Sequence, residues 1–375
     1  MATVKEYYQS QPRGMKILFA LVGIGLLTIL VRLATGLGAT TNLSDDVPWG
    51  LWIAVDVLCG VALAAGGFSV AAAVYIFNMK KYRPIVRPAV LTAFIGYLVV
   101  VFGLFVDIGK PFSFWHPLVM WNYHSIMFEI VWCITLYTAV LALEFAPAFL
   151  ERFKWEKTLN VLKKFIYPLV IAGIVLSYLH QSSLGALFLI VPQKLNHLWY
   201  SPIIPQLFFL SAIALGLAMV SLESIMGSRV FKREYEMGIL QGLTKGVAIV
   251  LAIYLVVKIA DLAVRGSLPL VFTSGAASFF FITEMLVGVL IPLALFARKQ
   301  TRESVNGILT ASSFVIVGIV MNRFNANFFT QAGTGTFYFP AILEFLVTIG
   351  LISLAILLYR LAVTYLPVFP EAERT

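Results

Sequence analysis

Residues 177–188 read S-Y-L-H-Q-S-S-L-G-A-L-F, and apolar segments flank them on both sides. A histidine followed by Gln181, Ser182 and Ser183 is costly in a lipid-like setting, where polar side chains must find partners inside the protein. Other ionisable groups stand inside apolar runs in the same way: Asp56, Glu129, Asp261, Glu284 and Glu344, with His124 close to the outer end of one run. Each costs ~2.5–3.5 kcal/mol at a helix centre on insertion scales. A shared polar cavity is an economical reason to keep them. An imidazole titrates near neutrality, and a carboxylate in low dielectric is pushed toward the same range. Such a set suits a quinol, which releases two protons with two electrons. It needs an apolar slot for ring and tail and exchangeable hydrogen-bonding groups at its oxygens.

The elements that must position these residues follow from composition. Of the 375 residues, 60% are hydrophobic and 12% are charged, against about half and a quarter in a soluble domain. The expected fold class is all-α: a polytopic membrane protein forming a single integral membrane domain over residues 1–375. A spanning helix takes roughly 20 apolar residues. Ten candidates run at about 14–38, 49–79, 85–107, 122–146, 161–190, 203–227, 241–266, 276–298, 303–323 and 336–362. The first is expected to be retained, since no small-residue cleavage site clearly follows it.

The net charge of +9 is assigned to loops on one membrane face, and no nucleic-acid partner is expected. Of 27 Lys and Arg, 21 fall in the N-terminal arm, after the even-numbered spans, or at the C-terminus. Lys5, Arg13 and Lys16 begin this set, and Arg360 and Arg374 end it. The remaining six are Arg32, Lys110, Lys194, Lys258, Arg265 and Arg323. Both termini are therefore expected in the cytoplasm. Trp49, Trp52, Trp115, Trp121 and Trp199 gather at the opposite face. They suit an interfacial belt or a partner's docking surface.

At ~1.5 Å per residue, Asp56 and Glu129 lie roughly 10 Å below the outer ends of their spans, and Glu284 and Glu344 about 12 Å. His180 and the residues after it fall in the outer part of span five. Toward the cytoplasm, Tyr97, Glu144 and Glu223 are candidate stepping stones for protons, with Glu284 a further member. Plainer roles stay open. Lys258, Asp261 and Arg265 suit an internal ion-pair set. Gln181, Ser182 and Ser183 suit bonds across helices, and Gly60, Gly66 and Gly185 suit close packing.

Four histidines are too few for two bis-histidine haems, although His124 and His180 could offer ligands for one. Cys59 and Cys133 are the only cysteines and cannot ligate an iron–sulfur cluster, so any cluster belongs to a partner. No metal site is expected. An ion-coupled transporter is the other class, with spans two to five and six to nine as a parallel repeat that places Glu129 and Glu284 on corresponding helices. The off-centre position of the polar groups argues against a midplane transport site.

Five strings carry a family resemblance: V-P-W-G-L-W-I-A-V-D-V-L-C-G (47–60), F-V-D-I-G-K-P (105–111), A-L-E-F-A-P-A-F-L-E-R (142–152), H-Q-S-S-L-G (180–185) and Y-F-P-A-I-L-E-F (338–345). With them the whole chain resembles the NrfD/PsrC-type membrane subunits, nearest to those of Hyb-type (hydrogenase-2-like) nickel–iron hydrogenases. The resemblance implies two four-helix bundles, spans 2–5 (49–190) and spans 6–9 (203–323), plus two peripheral helices. It implies a bacterial inner-membrane protein whose menaquinone or ubiquinone site faces the periplasm, with no haem or iron–sulfur cluster of its own. Implied partners are a periplasmic ferredoxin-like iron–sulfur subunit and the hydrogenase small and large subunits, with lipid and quinone around the chain. Sister complexes for other respiratory donors share the subunit. Glu129, His180 and Glu223 match the family's proton-handling positions, and Asp56 lies in the motif expected near the quinone. The expected pocket thus gathers Asp56, His124, Glu129 and His180, lined by Trp52, Gln181 and Ser182.

Overall fold

A computed structural model describes residues 12–45, 47, 49–191, 195–331 and 338–369, with backbone only at 329–331. Lys5, Lys194 and Arg374 lie outside the described residues. Among the described residues, ten helices are long and apolar enough to cross a membrane: α1 Arg13–Thr35, α2 Ile53–Tyr75, α3 Lys80–Asp107, α4 Ile126–Arg152, α5 Ile166–Ile190, α6 Ile204–Phe231, α7 Met237–Val264, α8 Ala276–Ala297, α9 Val305–Phe328 and α10 Ile342–Tyr365. Helices dominate because a chain this apolar must satisfy its backbone groups within each segment. Among the described residues, the only extended pairing is a bridge between Ser44 and Val47.

The all-α class and the ten spans agree with the sequence reading, and some boundaries differ. Span five begins at 166 instead of 161, because Glu156–Lys164 forms its own short helix ending at Phe165. That helix is strongly two-faced, the pattern of a segment lying along an interface. Span four runs on through Pro147 to Arg152.

Helices α2, α3, α4 and α5 close one ring, each packing on the next and α5 returning to α2. Helices α6, α7, α8 and α9 close a second ring in the same manner. The rings meet where α6 packs on α2 and α5, and where α9 packs on α2. Helix α1 packs on α10, and α10 lies on α3. Small residues permit the closest crossings, as expected where lipid supplies little hydrophobic drive between helices. A Cβ on Gly216 would stand 2.4 Å from the Gly66 nitrogen, so neither bundle tolerates a side chain there. Likewise a Cβ on Gly25 of α1 would stand 2.6 Å from the Gly350 Cα of α10. Gly60 and Gly185 are also close-packing positions, against Val100 and Pro205.

Helix α2 is not uniform. Ile53–Cys59 forms a π-helical stretch around Asp56, and the ladder tightens again where the Ala65 N–H bonds Ala62 O at 3.2 Å. The extra residue per π turn rotates the side chains that precede it relative to an ideal helix. Below, the end bearing Trp49 and Trp199 is called the tryptophan end, and the end bearing Lys80, Lys163 and Arg229 the basic end.

Candidate functional site

Inside the first bundle, His180 of α5 is fully buried. Its Nδ1 meets the Tyr97 hydroxyl of α3 at 2.9 Å, and Nε2 is buried without a partner. Tyr97 is also fully buried, its ring edge-on to Tyr137 at 4.6 Å. One turn toward the tryptophan end, the Ser183 hydroxyl donates to Glu129 Oε1 of α4 at 2.6 Å and contacts Leu179 O at 2.7 Å. Glu129 lies on the exposed flank of the ring, so this pair opens outward while His180 sits behind it. The Ser182 hydroxyl is buried and unpartnered. Unmade bonds in an apolar interior are expensive, which makes His180 Nε2 and Ser182 Oγ the natural points for an exchangeable partner.

Gln181 has a different task. Because the Ala65 N–H turns to Ala62 O, the Val61 carbonyl loses its usual helical donor. Gln181 Nε2 supplies one at 3.0 Å. This residue braces α5 on the break in α2.

The structure separates the remaining expected pocket residues. Asp56, within the π-helical stretch, is buried and faces Thr348 of α10 at 3.5 Å. Trp52 is buried and its indole N–H donates to Glu344 O at 3.1 Å. The Glu344 carboxylate accepts from the Asn42 and Ala341 N–H groups, each at 3.0 Å, and from the Tyr338 hydroxyl. Tyr338 lies outside the spans, and burial together with Glu344 holds its phenol above the ordinary range. His124 is exposed ahead of α4, its ring against Tyr123. Among the described residues, hydrogen bonds thus form separate groups: His180–Tyr97 and Glu129–Ser183 in one bundle, Asp56–Thr348 where α2 meets α10. Hydrogen bonds do not join the four expected residues into one group, and three cavities among the described residues are lined by none of Asp56, Glu129 and His180.

Two residues of this region were not assigned a role from sequence. Asp107, at the end of α3, interacts electrostatically with Asp56 and Arg32. Arg32 of α1 is buried and donates from Nε to Val106 O at 2.8 Å and from Nη2 to Ile108 O at 2.7 Å. The signal was present: an arginine inside an apolar span needs acceptors, and F-V-D-I-G-K-P ends the neighbouring helix.

Toward the basic end, Glu144 of α4 is half-buried against Gly173 of α5, where an added Cβ would stand 2.9 Å from its Oε1. Glu223 of α6 lies beside Tyr359 of α10 and Thr92 of α3. It lines a cavity of about 30 Å³ with Arg233, Ser228 and Tyr359, room for about two waters.

Glu284 belongs to the second bundle. Both its oxygens receive the Trp199 indole N–H at 3.0 Å, Asn322 donates to Oε1 at 3.0 Å, and Asn325 donates to Oε2 at 2.6 Å. Asn322 and Asn325 were also missed from sequence, although their i, i+3 spacing puts them on one helix face. Of the expected ion-pair set, Arg265 Nη2 meets Asp261 Oδ2 at 2.7 Å, whereas Lys258 Nζ donates to the Leu198 carbonyl at 2.9 Å. Arg323 is buried, its Nη2 donating to Phe208 O at 3.1 Å and Ser211 Oγ at 2.8 Å.

These contacts describe a membrane-spanning pair of bundles with one imidazole and several acids in the interior. The family described as "Polysulphide reductase, NrfD" matches residues 39–331, the stretch holding both rings. The chain belongs to the NrfD family. Three relatives align over nearly all of their own length. A protein of Nitratidesulfovibrio vulgaris (strain Hildenborough) is 40% identical over 93% of this chain and 92% of its own. The "Probable Ni/Fe-hydrogenase 2 b-type cytochrome subunit" of Escherichia coli (strain K12) is 32% identical over 98% of this chain and 97% of its own. The "Menaquinone reductase, integral membrane subunit" of Nitratidesulfovibrio vulgaris (strain Hildenborough) is 30% identical over 96% of this chain and 92% of its own. The family match leaves α1 and α10 outside it.

The second relative's name raises the question of a haem. His116, His124 and His197 belong to loops at the tryptophan end, and only His180 stands within a spanning helix, already bonded to Tyr97. A b-type haem held by two histidines does not fit this set.

Proposed function

We propose that this chain is the quinone-reactive membrane subunit of a hydrogenase-type respiratory complex. It exchanges electrons between a partner's iron–sulfur clusters and the quinone pool, with coupled proton transfer. The observation that carries the reading is the half-satisfied polar chain of the first bundle. Glu129 is open to the flank and bonded to Ser183, with His180 and Tyr97 paired behind it. A quinone headgroup approaching along that flank meets Glu129 first. Reduction by two electrons places negative charge on the quinone oxygens, and two protons neutralise it. Glu129 and His180 are the groups that supply or accept these protons. Asp56, with Asp107 near it, is a further acid at the same end.

On this reading Tyr97, Glu144 and Glu223 carry protons between His180 and the basic end. The Lys and Arg bias supports cytoplasmic termini, and with them a quinone site facing the periplasm of a bacterial inner membrane. A ferredoxin-like iron–sulfur subunit and hydrogenase small and large subunits would then dock at the tryptophan end. The hydrogenase assignment is supported by the Escherichia coli relative, and the quinone assignment by the menaquinone reductase relative.

The test deletes and restores the chain in membranes that carry the full complex. Hydrogen-dependent reduction of a short-chain menaquinone analogue should vanish without it, while hydrogen-dependent reduction of a viologen dye persists. Unchanged quinone reduction after deletion overturns the reading. Loss of quinone reduction only with a donor other than hydrogen overturns the hydrogenase assignment alone.

A further inference from the structure

We infer that the charged residues of the second bundle form a positioning clamp on Leu195–Ser201, ahead of α6, with Trp199 and Glu284 at its centre. Through that segment they fix the Ser183 turn of α5 against Glu129. The functional part of this inference rests on the quinone reading above.

Four polar struts from α7 and α8 converge on Leu195–Ser201. Arg265 Nη1 donates to His197 O at 3.0 Å, and Lys258 Nζ donates to Leu198 O at 2.9 Å. The Trp199 N–H donates to Glu284 at 3.0 Å, and the Ser201 hydroxyl donates to Asp261 Oδ1 at 2.7 Å. Lys258, Leu198, Trp199, Ser201 and Glu284 are each at most 2% exposed. Burying ions is costly, and well-packed apolar groups hold a segment at least as firmly. What ionic struts add is direction, because each fixes one atom of the segment.

The placement reaches α5 by way of the start of α6: Ser201 Oγ accepts from the Ile203 N–H at 3.0 Å, and α6 packs on α5. Phe188, fully buried, packs its ring on Trp49 at 5.9 Å and Phe208 at 5.6 Å. Gly185 lies so close to α6 that an added Cβ would stand 2.7 Å from the Pro205 Cα. Two residues before Gly185, Ser183 donates to Glu129. A chain of contacts therefore leads from Glu284 through Trp199, Ser201 and the start of α6 to Gly185, Ser183 and Glu129. Glu284 serves here as an anchor for N–H donors: Trp199, Asn322 and Asn325 all donate to its oxygens, an arrangement that favours the carboxylate form.

The test is made on the whole complex in native membranes with Trp199→Phe, which keeps a ring and removes the N–H. A nitroxide at His197→Cys, read against the identically treated complex that keeps His197, reports the segment; Cys59 and Cys133 of this chain are both buried. Trp199→Phe should give the label a mobile spectral component. It should lower kcat for quinone reduction about 10-fold through misplacement of the reacting groups. KM for the quinone should hold within about twofold, and dye-linked turnover should not move. Ser201→Ala should act in the same direction, about threefold, and serves if Trp199→Phe fails to assemble. An immobile label, or a wild-type kcat with a mobile label, overturns the clamp. Retained quinone turnover in His180→Ala would instead overturn the quinone reading, leaving the label measurement to judge the clamp.

Discussion

The third helix of each bundle carries one carboxylate toward the tryptophan end: Glu129 on α4 and Glu284 on α8. Their surroundings differ. Glu129 lies on the exposed flank and holds one serine hydroxyl. Glu284 is buried and holds two asparagines and an indole. The fourth helices differ in parallel. On α5, one ring nitrogen of His180 has no partner among the described residues; on α9, Arg323 Nε is likewise unpartnered, but a guanidinium keeps its protons. A group with a bond left open, on a residue that titrates, can pass a proton. The two bundles share an architecture and differ in whether the open bond sits on a titratable group.

The strongest way to break this comparison is His180→Ala. Removing a proton-transfer group costs typically 10²–10⁴-fold, so quinone-linked turnover in membranes should fall at least about 100-fold. The complex should still assemble, with dye-linked activity kept. Glu129→Gln keeps the shape and the Ser183 contact but cannot exchange a proton, and quinone turnover should fall about 100-fold. Turnover at the wild-type rate in both variants would remove their assigned roles. Tyr97→Phe leaves His180 without its partner at Nδ1, and a loss of about 10-fold in kcat is expected. A deuterium solvent isotope effect larger than the wild type's would place that loss in a proton step. In the second bundle, Asn325→Ala should read out in stability. Removing one donor to a buried carboxylate costs about 1–3 kcal/mol, which should lower the midpoint of thermal unfolding in detergent by several degrees. An unchanged midpoint would show that Glu284 does not depend on full satisfaction.

Much of the fold was legible because hydropathy and length define a spanning helix by composition alone. The identity of the reactive groups was legible for a related reason: a histidine or carboxylate in an apolar run stands out whatever it faces. Which helix each group faces was not legible. These helices are apolar all round, so periodicity does not mark an inward side. Asp56 shows the effect. Its π-helical stretch departs from the 3.6-residue turn, and the acid faces Thr348 of α10 instead of sharing one hollow with His180. Gln181 shows it again, since its partner is a carbonyl released by a break in another helix. Satisfaction was illegible for Glu284 as well, because its three donors come from residues far apart in sequence: Trp199, Asn322 and Asn325.

The lean of α10 on α1 and α3 sets an order on biosynthesis. Asn42, Trp52 and Asp56 emerge early from the ribosome, yet their partners Glu344 and Thr348 are translated about three hundred residues later. Until α10 inserts, the Trp52 and Asn42 N–H groups and the Asp56 carboxyl lack the partners that α10 supplies. A polypeptide stalled before that helix would hold those polar groups unmatched in the bilayer, where each unmade bond costs several kcal/mol.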